Sequence, residues 1–277
     1  MLVDILHMSR RILRGPGPSI RWWIENLIKK RELGTYRYRY GIGALDRPNY
    51  AYLLFNAAAL AAKLGHKRIS AIEFGVAGGN GLLSMERHAA EIEKIFPVQF
   101  EIYGFDTGAG LPPPTDYRDM PYHFQESSYS MDRAKLTERL HRARLVIGDL
   151  RQTARSFFVD HHPAPIAALS YDLDFYSSTV AALEMLCAGE RYYLPRVFCY
   201  FDDTVGDESE LYNDFTGERL AIREFNERHE TIKLCQAYFA SARASQLWHH
   251  QIWIAHFFQH SQYNTFIGTP NRQLDLN

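Results

Sequence analysis

Along most of its length the chain alternates short apolar runs with longer stretches in which apolar residues recur every three or four positions. The runs fall at residues 68–74, 100–105, 144–147, 166–171 and 196–201, breaking into Gly75, Asp106, Gly148-Asp149, Asp172 and Asp202. Apolar runs of about four to eight residues bounded by turn residues read as buried strands. Between them, residues 81–96, 131–143, 148–158 and 178–189 have the spacing of helices or helical turns. This alternation implies βαβ units, and hence a Rossmann-like α/β fold with a doubly wound, mostly parallel sheet. In such open sheets ligands bind beyond the carboxyl ends of the strands. The acids fall there.

The two ends of the chain depart from this rhythm. Residues 50–65 form an Ala- and Leu-rich helical pattern closed by Gly65. Ahead of it, Gly15-Pro16-Gly17-Pro18 breaks two short helical patterns, and residues 41–48 form a second loop. After Asp203, residues 217–229 read as a helix. Residues 231–239 and 246–258 then read as two strands joined by the polar link 240–245. They predict a C-terminal antiparallel hairpin. The expected organisation is an N-terminal helical extension over 1–49 and one α/β domain over 50–277.

Composition narrows the setting. With 46% hydrophobic and 23% charged residues, the 277-residue chain has the mix of a folded globular protein. Its 31 Lys+Arg against 32 Asp+Glu give no overall basic field, so nucleic acid is not the expected partner. The three cysteines, Cys187, Cys199 and Cys235, lack CxxC spacing, which argues against a disulfide scaffold or a structural zinc site. They read as small buried residues in a reducing compartment. No apolar run approaches the ~20 residues of a membrane span, and the N-terminus lacks a secretory signal, so a cytoplasmic location is expected. Residues 1–32 do combine Arg10, Arg11, Arg14, Lys29, Lys30 and Arg31 with Trp22, Trp23, Ile24 and Leu27. Helices packing on the main domain or pairing two copies in a homo-oligomer are the favoured reading, with membrane-surface binding as the other.

The segment from Ala71 to Leu83 runs from a strand through a glycine-rich turn into a helix, with Glu73, Gly75, Gly79 and Gly81 in register as acid-x-Gly-x-x-x-Gly-x-Gly. Glycines there let backbone approach a ligand closely. The spacing fits poorly to the Gly-x-Gly-x-x-Gly of nicotinamide sites. It resembles the first motif of class I S-adenosylmethionine (SAM) dependent methyltransferases. The resemblance implies that the glycines approach the methionine part of SAM and that Glu73 helps place its ammonium group. It further implies that Asp106 accepts from the ribose hydroxyls and that Asp149 lies near the adenine. Carboxylates suit both a vicinal diol and a cationic ligand.

Three further stretches narrow the likeness: residues 105–116, 171–183, and Phe201-Asp202-Asp203 followed by residues 221–225. Together they are similar to the macrocin O-methyltransferase-like family of metal-dependent enzymes that methylate sugar hydroxyls. The likeness covers about residues 50–258. One departure is Leu194-Pro195-Arg196, which stands where that pattern has a glycine pair.

Asp172 and Asp174, two apart on an extended strand end, should point the same way, close to Asp202 and Asp203. Each like pair near 4 Å costs about 4 kcal/mol at an effective dielectric of ~20, so protons or a cation must neutralise the cluster. Oxygen-only ligands favour Mg²⁺ or Ca²⁺. The family resemblance implies Asp172, Asp202 and Asp203 as the ligands, with Mg²⁺ lowering the pKa of a substrate hydroxyl. Helix capping by Asp172 and Asp174 is the plainer alternative.

Asp172, His123 and Glu126 are the candidates for proton transfer or substrate contact. The Pro- and Tyr-rich residues 111–130 read as a lid over a small hydroxylated substrate. Two other functions stay open. Asp172-Leu173-Asp174 is also an Asp-x-Asp pattern suited to a metal-dependent nucleotide-sugar glycosyltransferase, and a non-catalytic SAM-binding relative would keep the same cofactor positions.

Overall fold

The apolar runs form β1 (Arg68–Phe74), β2 (Gln99–Asp106), β3 (Arg144–Ile147), β4 (Ile166–Tyr171) and β5 (Tyr193–Phe201), followed by β6 (Ile232–Gln236) and β7 (Ile252–Phe257). These come from a computed structural model that describes residues 20–268. The strands lie in one sheet in the order β3-β2-β1-β4-β5-β7-β6. The pairs among β1 to β5 are parallel, and β7 runs antiparallel to both β5 and β6. Every residue of β4, and every residue of β1 except Arg68, is buried. A parallel sheet covered on both faces needs such continuous apolar strands.

The crossovers are α4 (Asn80–Ile92), α5 (Arg133–Arg139), α6 (Leu150–His161), α7 (Tyr176–Glu184) and α8 (Gly217–Arg228). Numbering in chain order, α1 (Ile20–Arg31), α2 (Tyr36–Gly41) and α3 (Pro48–Leu64) precede β1, and α9 (Tyr238–Ser241) lies between β6 and β7. From β1 the chain steps outward to β2 and β3, then returns to β4 on the other side of β1. That reversal is where open α/β sheets bind ligands.

Register makes the strand ends level. Phe105 pairs with Phe74, Phe74 with Tyr171, and Tyr171 with Phe201. Asp106, Gly75, Asp172 and Asp202 therefore leave the sheet side by side. Beneath them Phe74, Tyr171 and Phe201 stack at 5.1 and 4.3 Å between ring centroids, an apolar floor for the residues above.

Two sequence expectations change in detail. At the start of β5, Ile166 pairs with Tyr193 but Ala168 pairs with Phe198, so the extra residues around Pro195 bulge out of the ladder. A bulge is where a strand tolerates proline. Regular pairing from Phe198 to Phe201 then restores the level at which Asp202 emerges. The antiparallel terminal pair forms, but its strands are shorter than the apolar runs at 231–239 and 246–258. Tyr238 to Ser241 become α9, and Leu247 to His250 form a 3-10 turn, so His249 and His250 are not strand residues.

The described residues up to Pro48 belong to a separate compact unit. Within it, Thr35 caps α2 by accepting from the Tyr38 N–H at 3.2 Å, and Lys29 faces Asp46 at 3.7 Å. On α1, Ile20, Trp23, Ile24 and Leu27 are exposed. The helical pattern expected ahead of Gly15 lies outside the described residues. No described helix is long and apolar enough to cross a membrane. Of the cysteines only Cys199 is buried; Cys187 is exposed and Cys235 intermediate, against the expectation for all three.

Candidate functional site

Between β1 and α4 the chain makes the turn Gly75-Val76-Ala77-Gly78-Gly79. Gly75, Ala77 and Gly79 have left-handed φ values of 81, 45 and 78°. Glycine takes this conformation freely; Ala77 is held in it against its preference. Asp106 supplies the hold. Its Oδ2 accepts from the Val76 and Ala77 N–H groups at 2.8 and 2.9 Å, and its Oδ1 accepts from Gly108 at 2.6 Å. The acid at the end of β2 thus moulds the turn of its neighbour.

Each glycine faces a different surface. A Cβ on Gly75 would lie 1.7 Å from the Asp172 carbonyl oxygen, and one on Gly81 would lie 1.8 Å from Glu73 Oε1. One on Gly79 would meet Leu136, whereas Gly78 has nothing within 4 Å. Gly75 and Gly81 permit close packing below, and Gly78 opens to free space above. Gly79 begins α4 without a side-chain cap, so the N–H groups of the first turn keep their donor character and the positive end of the helix dipole. Glu73 lies beneath the turn, 2% exposed, with Oε1 accepting from the Tyr50 hydroxyl at 2.6 Å.

Beyond β4 and β5 the acids converge, though not as an extended strand would place them. Asp174 takes φ 59°, which turns it inward to 8% exposure instead of alongside Asp172. Its N–H donates to Asp203 Oδ2 at 3.0 Å, and Asp203 Oδ1 accepts from the Tyr212 hydroxyl at 2.7 Å. The Tyr200 hydroxyl donates to Asp202. Glu218, fully buried in the first turn of α8, accepts from the Asp203 N–H at 3.0 Å. Burial, followed by the charges of Asp202, Asp203, Asp174 and Glu73, holds Asp172 well above the usual carboxylate range. Burial, Asp174 and Asp202 do the same for Asp203, against the hydrogen bonds from Tyr212 and Asp174. Spacing alone does not mark Tyr212 or Glu218 as members. Burial and the charges of Asp174, Asp203 and Asp172 also push the Tyr129 phenol up.

The cluster makes stability depend on pH. From an ordinary 3.8, Asp174 is pushed up to about 7 by burial and by Asp202. Between those values the folded chain holds a proton that the unfolded chain releases. Stability is therefore fullest at the acid end and declines as pH rises through about 4 to 7. Without added cations, the thermal midpoint should fall across that window, and Asp174→Asn should flatten the fall. An equal slope in the variant would contradict the assignment.

The remaining predicted residues lie apart from these acids or outside the interior. Asp149 caps α6, accepting from the Arg151 N–H at 2.8 Å, and pairs with the Arg151 guanidinium at 2.8 Å. Those bonds hold its carboxyl below the ordinary range. His123 and Glu126 are exposed on the 111–130 segment. That segment is anchored. Met120 and Phe124 pack on Phe175, and buried Asp119 accepts from the Ser177 N–H at 2.8 Å at the start of α7. Its tyrosines 117, 122 and 129 are exposed. Next in the chain after Asp203, Thr204 begins the lining of an open surface cleft of about 580 Å³, with Tyr212, Asn213, Phe215 and Arg219 among its other residues.

Oxygen donors alone suit a hard cation. As placed, however, the mouth aspartates do not bring three ligand oxygens within 4.8 Å of one another. The inward turn of Asp174 also leaves the Asp-x-Asp segment without the paired open carboxylates that a metal–diphosphate needs.

No protein-family model matches the chain, and no curated protein does. Among solved structures it is similar to CalS11, a calicheamicin methyltransferase, over 91% of its own length and 90% of that chain, at 20% identity and a TM-score of 0.51. It is also similar to the O-methyltransferase NovP over 76% of its own length and 79% of that chain, at 14% identity and a TM-score of 0.49. With CalS11 it shares the fold, a Rossmann-like methyltransferase fold.

Proposed function

We propose that the chain is a SAM-dependent O-methyltransferase acting on a hydroxyl of a small-molecule or sugar-containing substrate. The observation that carries this reading is the glycine turn itself. It is moulded by Asp106, open above Gly78, and set at the β1/β4 reversal ahead of a helix start without a side-chain cap. Bound SAM supplies an electrophilic methyl group on a cationic sulfur.

The chain's own groups supply the rest. The first-turn N–H groups of α4 would receive the methionine carboxylate. Asp106 already accepts three N–H bonds, which leaves room for about one ribose hydroxyl among its roughly four lone-pair sites. Asp149 stands on the adenine side. Glu73, under the turn, and Asp172 beside it, once ionised, would favour a cationic centre. The acceptor would enter past Tyr129, with Tyr212, Phe215 and Arg219 of the neighbouring cleft holding an oxygen-rich ring. A volume of about 580 Å³ suits a small molecule. Asp172, once ionised by a cation offsetting its acidic neighbours, would take the hydroxyl proton, with His123 and Glu126 further out as substrate contacts.

A Mg²⁺ on Asp172, Asp202 and Asp203 would require their carboxylates to draw closer than they now stand; held there, it would lower the pKa of that hydroxyl. The test is methyl transfer from labelled SAM to a panel of vicinal diols, with and without chelator. The wild type should lose activity in chelator and regain it with Mg²⁺. Asp202→Ala should bind SAM normally yet transfer at least about 100-fold more slowly. Full activity of that variant in chelator would remove the metal from the account.

A further inference from the structure

At the far end of α7 and α8, Glu184, Cys187 and His229 bring one ligand atom each within 4.8 Å of one another. Glu184 ends α7, Cys187 follows on a 3-10 turn, and His229 caps the end of α8. Both helices start at the acidic mouth, α7 just beyond Asp174 and α8 with Glu218 under Asp203. At 12 residues α8 spans about 18 Å, so this trio sits at the opposite end of the sheet from the mouth.

We propose that Glu184, Cys187 and His229 form a second metal site, a mixed carboxylate–thiolate–imidazole site of the kind that takes Zn²⁺. Thiolate and imidazole select a borderline-soft ion, which separates this site from the oxygen-only mouth. The spacing agrees with the chemistry. Bond lengths of roughly 2.3 Å to sulfur and 2.0 Å to nitrogen in a tetrahedron put the two ligand atoms about 3.5 Å apart. Cys187 Sγ lies 3.7 Å from His229 Nε2 and 3.9 Å from Nδ1. With sulfur nearly equidistant from both nitrogens the pair is a poor hydrogen bond. A rotation about the broad χ2 torsion of histidine aims one nitrogen at the shared point.

Partial desolvation and the charge of Glu184 push the Cys187 thiol up, against Arg228, so metal uptake must displace its proton. Glu184 Oε1 now accepts from Arg228 Nη1 at 3.0 Å, an exposed ion pair that competes with the metal. Three protein ligands leave one position for water or an outside ligand. The ion would tie the end of α7 to the end of α8. Sequence spacing hides the site, because His229 comes 42 residues after Cys187.

Cobalt titration of the full chain tests this, since a sulfur-to-cobalt charge-transfer band requires a thiolate and the mouth has none. The wild type should show the band, saturating at one ion per chain, and Zn²⁺ should displace it. Cys187→Ser should abolish it. His229→Ala and Glu184→Gln should weaken binding at least about tenfold, and Arg228→Ala should tighten it. Unchanged circular dichroism would show that each exposed-site variant is folded. Absence of a saturable band in the wild type, or its persistence in folded Cys187→Ser, would overturn the proposal. Neither result bears on SAM binding.

Discussion

Replacing Gly75 with alanine should destabilise the chain by about 3 kcal/mol or more and eliminate SAM binding. The residue holds φ 81°, where a Cβ meets the following carbonyl at a cost of roughly 1–2 kcal/mol. The new methyl would also lie 1.7 Å from the carbonyl oxygen of Asp172 and 2.8 Å from its carbonyl carbon. Those are backbone atoms of the neighbouring strand end and cannot swing aside. To make room, β1 and β4 must part where the Asp172 N–H donates to Phe74 at 3.0 Å. Urea unfolding should show the loss as a lower midpoint with little change in slope. Gly78→Ala is the control: with open space around it, stability should change by no more than about 0.5 kcal/mol, while the methyl intrudes on the cofactor side. If both variants were equally stable, the close contact at the sheet reversal would be wrong.

The second large effect is expected at Asp106. Alanine there removes the acceptor for three backbone N–H groups, two of them in the glycine turn. Bonds to a charged group are worth about 1.5–3 kcal/mol each when sheltered. Asp106 is half-buried and water can replace part of that, so a loss of about 2–4 kcal/mol in total is expected. The functional loss should be larger. Without the anchor, Ala77 has no reason to keep φ 45°, and the turn relaxes away from the shape that fits a ligand. Affinity for SAM should fall beyond detection in Asp106→Ala. In Asp106→Asn, which keeps one acceptor oxygen, it should fall only in part.

The centre of the sheet was legible because β1 and β4 are buried on both faces and read as mainly apolar runs, ended by a glycine and an acid. Arg68–Phe74 and Ile166–Tyr171 were readable to the residue for that reason. The terminal pair was harder. Its apolar residues continue past the strands into α9 and a 3-10 turn, where Tyr238 and Phe239 are exposed, so hydrophobicity did not mark the ends.

At the site, the glycine turn and the acids beyond β2, β4 and β5 follow from spacing. Contacts between distant segments do not. Nothing local to Glu218 or Tyr212 announces a bond to Asp203, and nothing near Asp119 says that it caps α7 from a separate loop. The Asp-x-Asp pair departs from its sequence expectation for a local reason: a strand end would be extended, and the chain turns left-handed at Asp174. Asp106 was read as a ligand contact, and it is first of all the mould of the turn.

Calorimetric titration of the full chain with S-adenosylhomocysteine, the demethylated product, tests the central claim most directly. Saturable binding at one molecule per chain in the wild type, absent from folded Asp106→Ala, is the predicted result. A wild type that gives no saturable heat, or an Asp106→Ala variant that binds as tightly, would contradict it.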